Sequence, residues 1–289
     1  MRFEAFVAAR YLRGKRKNHF VSLITVISTA GVCVGVMALI VVISVMTGFQ
    51  EALHATIIGN RAHLSIFEPG ARPIAEPGVM VQEILDASDA VVAAGPKIEI
   101  EALLTHDETA TGAYIVGVDP ERESDITMLA ENLTTEDGRT AGRGELPRDK
   151  EIVLGFRLAN RLGVGVGSRI GVVTNKRVLT PFGPRMGNQL FLRVSGISQA
   201  KMSEFDTLYA FTNITTAQML TGEDTVDAVH VRLTDPFLAA QVKQEIQNEL
   251  GYRALTWFES QEAFFEALRQ EKLAMFIILT FIILVAAFN

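Results

Sequence analysis

The sequence predicts an α+β protein anchored at a membrane. Two apolar helices bracket a globular domain in which a split β-α-β subdomain carries an inserted, mostly β subdomain. Three observations predict this. Residues 18–50 and 273–289 contain no Asp, Glu, Lys or Arg. A strand–helix–strand pattern stands near each end of the region between them. The middle of that region is β-rich and breaks the pattern.

The elements follow in chain order. In residues 3–12, Phe3, Phe6, Val7 and Tyr11 share one helical face, and a basic cluster of Arg10, Arg13, Lys15, Arg16 and Lys17 lies around the end of this stretch. This predicts a short helix on the cytoplasmic membrane surface. Residues 18–50 exceed the roughly 20 apolar residues that cross a bilayer as a helix. The positive-inside rule puts the basic cluster in the cytoplasm and the domain on the other side. The apolar run is too long for a signal peptide, and no A-x-A cleavage pattern follows it. Gly31 and Gly35 are spaced to let another helix come close.

Residues 62–68 alternate, with Leu64 and Ile66 on one side and His63 and Ser65 on the other, which predicts a strand. Residues 79–87 fit a helix, and residues 91–104, broken at Gly95-Pro96, and 112–118 fit strands. Residues 131–149 are polar and read as loop; residues 152–162 read as a strand leading into a short helix. Residues 168–174 and 189–198 are β-rich. Residues 228–234 turn Val229, Val231 and Leu233 inward, with His230 outward and solvated. Pro236 opens a helix that Gly251 follows, and residues 252–257 form a strand. The pairing of these patterns is the split, ferredoxin-like kind. Ser260 reads as the N-cap of a helix that runs without a breaker into residues 273–289. The chain stops while still apolar, so a continuation in lipid is expected.

Composition narrows the function. The chain has 289 residues, 48% of them hydrophobic, and a net charge of −6, which argues against a general nucleic-acid binder. The single cysteine, Cys33, lies in the first apolar run, so the domain relies on its core and not on disulfides. There is no G-x-x-x-x-G-K-[ST], hence no P-loop for ATP. Gly163, Gly165 and Gly167 precede a strand, whereas a phosphate cradle precedes a helix; they read as a turn. His19, His54, His63, His106 and His230 show no metal-ligand spacing, and no serine sits in G-x-S-x-G. The sequons at Asn132 and Asn213 are at chance level. No catalytic residue and no metal site is expected.

The most unusual soluble segment is 175–188, NKRVLTPFGPRMGN. It reads as a loop between two strands, too long for a tight hairpin. Pro181 and Pro184 stiffen it; Val178, Leu179, Phe182 and Met186 make it apolar; Lys176, Arg177 and Arg185 make it basic in an acidic protein. A docking loop for an acidic-rimmed partner has these properties, and a loop folded back on its own domain is the alternative.

The run FVAARYLRGKRKNHFVSLITVISTAGVCVGVMALIVVISVMTGF (6–49) resembles the N-terminal signature of the lipoprotein-releasing permeases, the LolC/LolE type of ABC transporter subunit, including hybrid LolF-like forms. EKLAMFIILTFIILVAAFN (271–289) is similar to that family's second membrane helix at its start, and EIVLGFRLANRLGVGVGSRI (151–170) to a signature shared with macrolide-exporter-like permeases. LTPFGPRMGNQ (179–189) resembles the loop that grips a periplasmic lipoprotein chaperone. The resemblance implies a bacterial inner-membrane permease subunit with a cytoplasmic N-terminus (1–17), a first membrane helix (18–50), a periplasmic domain (51–272) and the start of a second helix (273–289). The domain would comprise porter-like parts (51–118 and 200–260), an inserted β part (119–199) and a helix into the membrane (260–272).

Carried over by position, Pro181, Phe182, Gly183, Arg185, Met186 and Gln189 would form the chaperone-docking loop. Leu190 departs from the charged residue common after Gln189 in the chaperone-binding type. Implied partners are a LolD-type ATPase that binds the ATP, a second permease subunit or copy, a LolA-type chaperone, lipoprotein cargo and membrane lipid. Val41, Ile43, Val45 and Met46, with Met275 and Phe276, are candidates to line a lipid cavity, ordinary lipid-facing positions being the alternative. Two other functions fit the same plan: a two-span extracytoplasmic sensor, and a permease of the same fold for another cargo.

Overall fold

The computed structural model describes residues 19–70, 72–133, 144–175, 177–180, 183–186, 188–200 and 202–288. The surface helix expected at 3–12 and the basic cluster lie outside the described residues. The chain forms two units, one of residues 53–261 and one of residues 1–52 with 262–289.

The described residues of the smaller unit are helical. α1 (His19–Asn60) is 42 residues long. At 1.5 Å per residue this is roughly 60 Å, about twice a bilayer's hydrocarbon core. It is the one helix among the described residues long and apolar enough to cross a membrane. It runs ten residues past Gln50, where the charge-free run ends, so its last turns belong to the larger unit. α8 (Glu262–Phe288) is continuous, as predicted; residues 273–288 within it carry no charge. A Cβ added at Gly35 of α1 would meet Ile283 Cγ1 of α8 at 2.9 Å. Ser260 does not cap α8. Its hydroxyl donates to the Trp257 carbonyl at 2.8 Å, inside a separate 3-10 turn (Glu259–Gln261) that precedes the helix.

The larger unit is built on one nine-stranded sheet whose strands lie in the order 253–256, 64–67, 228–233, 91–106, 109–118, 209–213, 151–155, 189–198 and 169–174. Its first end holds β1 (Leu64–Phe67), between β10 (Ala228–Leu233) and β11 (Arg253–Thr256), all antiparallel. α2 (Pro77–Ala87) packs on β2 (Val91–His106) and β10, α7 (Ala239–Glu249) packs on β11, and the two helices touch. This is the split β-α-β arrangement the pattern predicts. Leu64, Ile66, Ile84, Val229, Val231 and Ile246 are sealed in its core.

β2 is a single strand of 16 residues, not two broken at Gly95-Pro96. Register explains it. Lys97 turns its carbonyl to β10 and accepts from Asp227 N at 3.0 Å. Pro96, one residue earlier, therefore aims its polar edge the other way, where pairing with β3 (Thr109–Val118) starts only at Lys97. The missing N–H leaves no gap in the ladder.

At the other end β2 pairs through Ala102–Thr105 with β5 (Arg169–Thr174) and closes a ring, β2-β3-β9-β4-β8-β5. Its remaining strands are β4 (Glu151–Gly155), β8 (Gln189–Ser198) and β9 (Tyr209–Asn213). Alternation fills the inside: Ile100, Ala102 and Leu104 of β2 are buried, whereas Glu99, Glu101 and Leu103 are exposed. The ring thus draws strands from before 119, from 119–199 and from after 199. α4 (Phe156–Leu162) follows β4 and ends at Gly163, whose φ of +67° is left-handed, so the predicted glycine turn is a helix C-cap. α3 (Glu123–Ile126), α5 (Ser203–Leu208) and α6 (Ile214–Thr221) pack around the ring.

Candidate functional site

Segment 175–188 is itself a hairpin, contrary to the loop expected. β6 (Arg177–Thr180) pairs antiparallel with β7 (Gly183–Met186), with Thr180 opposite Gly183, Leu179 opposite Pro184, Val178 opposite Arg185 and Arg177 opposite Met186. Two residues, Pro181 and Phe182, connect the strands and lie outside the described residues. The expectation failed because Pro184 and two glycines read as loop, yet a two-stranded ribbon has a free edge on each strand and tolerates a proline there.

The root of this hairpin is well fixed. Thr174 N donates to the Asn188 carbonyl at 3.0 Å, and Asn188 N donates to Thr174 Oγ1 at 3.4 Å. The Thr174 hydroxyl is buried and donates to the Leu220 carbonyl at 3.3 Å. The Asn188 side-chain amide donates to the Met219 carbonyl. Both legs are thus tied to α6. Gln189 is exposed opposite Val173, and Leu190 is half-buried opposite Val172. Beside them Phe191 is exposed, with the Arg169 guanidinium 5.1 Å from its ring centroid.

In the helical unit, an apolar groove of about 680 Å³ lies between α1 and α8. Val41, Ile43, Val45, Met46, Met275 and Phe276 all line it, so the structure brings these six candidates together. Val42, Phe49, Leu273 and Leu279 complete the apolar wall, and Arg269, Glu271 and Lys272 also line it.

A third feature was not legible in the sequence. The larger unit holds a cavity of about 300 Å³ of mixed lining, with Arg61, Lys97, Glu99, Glu123 and His230 among its polar residues. Lys97 Nζ pairs with Glu99 at 2.6 Å. Glu123 is buried, accepts the Thr127 hydroxyl at 2.6 Å, and is pushed up to about 7, chiefly by loss of water. His230 faces this cavity and not open solvent; burial, then Lys97 and Arg61, hold its imidazole well below the usual histidine range. The alternation of β10 is as predicted, but its outer face is roofed by α3 and the segments after it.

Comparison with known proteins places the chain. Residues 25–249 match the MacB-like periplasmic core domain. The chain is 33% identical over 295 residues to a lipoprotein-releasing system transmembrane protein LolC of Neisseria meningitidis, covering 99% of this chain and 68% of that protein. The chain belongs to the LolC/LolE permease family. A LolE of Haemophilus influenzae is 25% identical, covering 98% of this chain and 68% of that protein. Among solved structures, the periplasmic region of MacB from Actinobacillus actinomycetemcomitans is similar at 14% identity and a TM-score of 0.42, covering 72% of this chain and 94% of that one. The matched span takes in most of α1 and most of the larger unit, and the family is one of inner-membrane proteins with a periplasmic domain.

Proposed function

We propose that the chain is a non-catalytic permease subunit of an ABC transporter that takes lipoproteins from the outer leaflet of the inner membrane and passes them to a periplasmic chaperone. ATP is bound by a partner ATPase, and a second permease subunit or copy completes the assembly. The N-terminus is cytoplasmic. The observation that carries this reading is the pairing of an apolar groove between α1 and α8 with a hairpin rooted on the globular unit.

The energetics fit. A triacyl anchor exposes about 45 methylenes, at about 0.8 kcal/mol each, so full exposure to water costs roughly 36 kcal/mol. No single ATP supplies that, and the chains must pass from one apolar surface to another. Val41, Ile43, Val45, Met46, Met275 and Phe276 offer the first surface. Pro181, Phe182, Gly183, Arg185, Met186 and Gln189 hold the carrier that offers the next. We retain as a proposal the division of the domain into porter-like parts (51–118 and 200–260) and an insertion (119–199).

The reading is tested by binding. Phe182→Ala or Arg185→Glu weakens carrier binding at least about tenfold, as loss of a hot-spot residue does, while the melting temperature stays within about 1 °C. A pull-down with the purified chaperone reads the affinity, and unchanged binding in both variants removes the hairpin from the scheme. The chain alone hydrolyses no ATP.

A further inference from the structure

The end of α1 is bonded into the globular unit, and one arginine supplies the side-chain donor to its end carbonyls. A helix leaves its last four carbonyls without helical partners. Here three of them are taken up. Arg61 N donates to the Ile57 carbonyl at 3.0 Å, and Met128 N donates to the Gly59 carbonyl at 3.0 Å. Arg232 Nη1 donates to the Ile58 carbonyl at 3.3 Å and to the Ile126 carbonyl at 3.4 Å. A cation at a helix C-terminus also meets the negative end of the helix dipole. The fit is close at Gly59, where the Met128 thioether occupies the space a Cβ would need.

Side chains extend the joint. The Asn132 amide donates to Asn60 Oδ1 at 2.5 Å, and Asn60 Nδ2 donates to the Ala200 carbonyl at 3.4 Å. Arg232 itself stands on β10, paired with β1 on one side and β2 on the other. The other connection meets the same strand: His63 N donates to the Val231 carbonyl at 2.9 Å, and Trp257 N donates to the His63 carbonyl at 3.0 Å. The residues just after α1 and just before α8 are therefore stitched to each other beside Arg232.

We propose that Arg232 is a positioning residue for transport: it ties the end of α1, through Ile58 and the end of α3, to a central strand, so that the globular unit and the last turn of α1 move as one body. This rests on the permease reading above. Its guanidinium bonds two backbone carbonyls, and its charge also bears on the neighbouring His63 imidazole.

The test uses the full chain, assembled with its ATPase and second permease in lipid nanodiscs, with a purified triacylated lipoprotein as cargo. Two variants are compared, Arg232→Gln, which removes the charge, and Arg232→Lys, which keeps it without the planar fork. Hydrogen exchange at the Met128 and Arg61 amides rises about tenfold in Arg232→Gln and roughly threefold in Arg232→Lys, while β3 amides such as Ile115 change less than about twofold. Lipoprotein released per ATP falls about fivefold in Arg232→Gln at an unchanged ATPase rate, and recovers in part in Arg232→Lys. Unchanged exchange at Met128 overturns the joint. Faster exchange throughout β3 overturns it as well, since Arg232 is then a general stability residue. A local rise in exchange with unchanged release per ATP overturns the positioning role. A parent assembly that hydrolyses ATP but releases no lipoprotein overturns the permease reading and the positioning role with it, while the exchange result still reports on the joint.

Discussion

The two ends of the globular unit solve opposite problems. At the hairpin end, backbone pairing and one buried hydroxyl fix the root of a two-stranded ribbon: Thr174 and Asn188 bond each other and α6. At the junction end, the chain buries the Glu123 carboxyl to hold a turn and brings the Arg232 guanidinium to a helix end. The difference teaches where precision is needed. A docking ribbon needs a firm base, which neutral hydrogen bonds supply. A junction that anchors a membrane helix must satisfy orphan carbonyls, which charged donors do better than neutral ones.

Three substitutions sharpen or break this contrast. The largest effect is expected at Glu123. Its folded-state value is raised from 4.5 to about 7, so between those values the folded protein holds a proton that the unfolded chain has lost. Its contribution to stability is full below about pH 4.5, falls as pH rises, and is lost above about pH 7. His63, lowered to about 4, and His230, also lowered by burial, act with the opposite sign below pH 6.5, so the parent's own profile is a sum of opposing slopes. The difference between Glu123→Gln and the parent isolates the carboxyl. The variant is near parity at pH 4.5 and more stable by on the order of 3 kcal/mol at pH 8. Denaturant melts of the full chain in detergent at the two pH values check this, and a pH-independent difference would contradict the assignment.

Next in size is Thr174→Val at the hairpin root. It leaves the Leu220 carbonyl unbonded in a buried place, at a cost of about 2 kcal/mol, or roughly 4–8 °C in melting temperature. Hydrogen exchange at Asn188 quickens as well. A variant as stable as the parent would show that the root is not held by this hydroxyl. The smallest effect is expected from Trp257→Phe, which removes the bond from Nε1 to the Pro236 carbonyl at 2.9 Å and keeps most of the ring. A loss of about 1 kcal/mol in a denaturant melt is expected. A loss as large as that of Thr174→Val would place more of the junction's strength in Trp257 than the contrast allows.

Much of the fold was legible because it follows from local pattern. Charge-free runs gave α1 and the apolar part of α8, and alternation gave β1 and β10. Pro236 and Gly251 bounded α7 with its 3-10 lead, Gly251 at a φ of +72°. What was missed depends on partners distant in the chain. Pro96 stays inside β2 because its polar edge faces away from β10, which only register reveals. Ser260 has the chemistry of a cap but bonds backward to Trp257. His230 sits on the outer face of its strand, yet that face is covered by a segment more than 90 residues earlier.

The candidate sites divide in the same way. Position in the outer half of the first apolar run and at the start of the second picked residues that line one groove. Composition singled out 175–188, though its hairpin form came from strand pairing. Glu123 and Arg232 carried no sequence signal: each is an ordinary charged residue until the fold buries one and brings the other to the end of α1.

The handover from groove to hairpin is tested most directly by photocrosslinking from position 182 in living cells, with a photoreactive residue in place of Phe182 and the captured protein identified by mass spectrometry. The expected product is a covalent adduct with a soluble periplasmic lipoprotein carrier, stronger when lipoprotein export is active. An adduct only with cytosolic proteins, or a crosslink only within the chain's own globular unit, would contradict it.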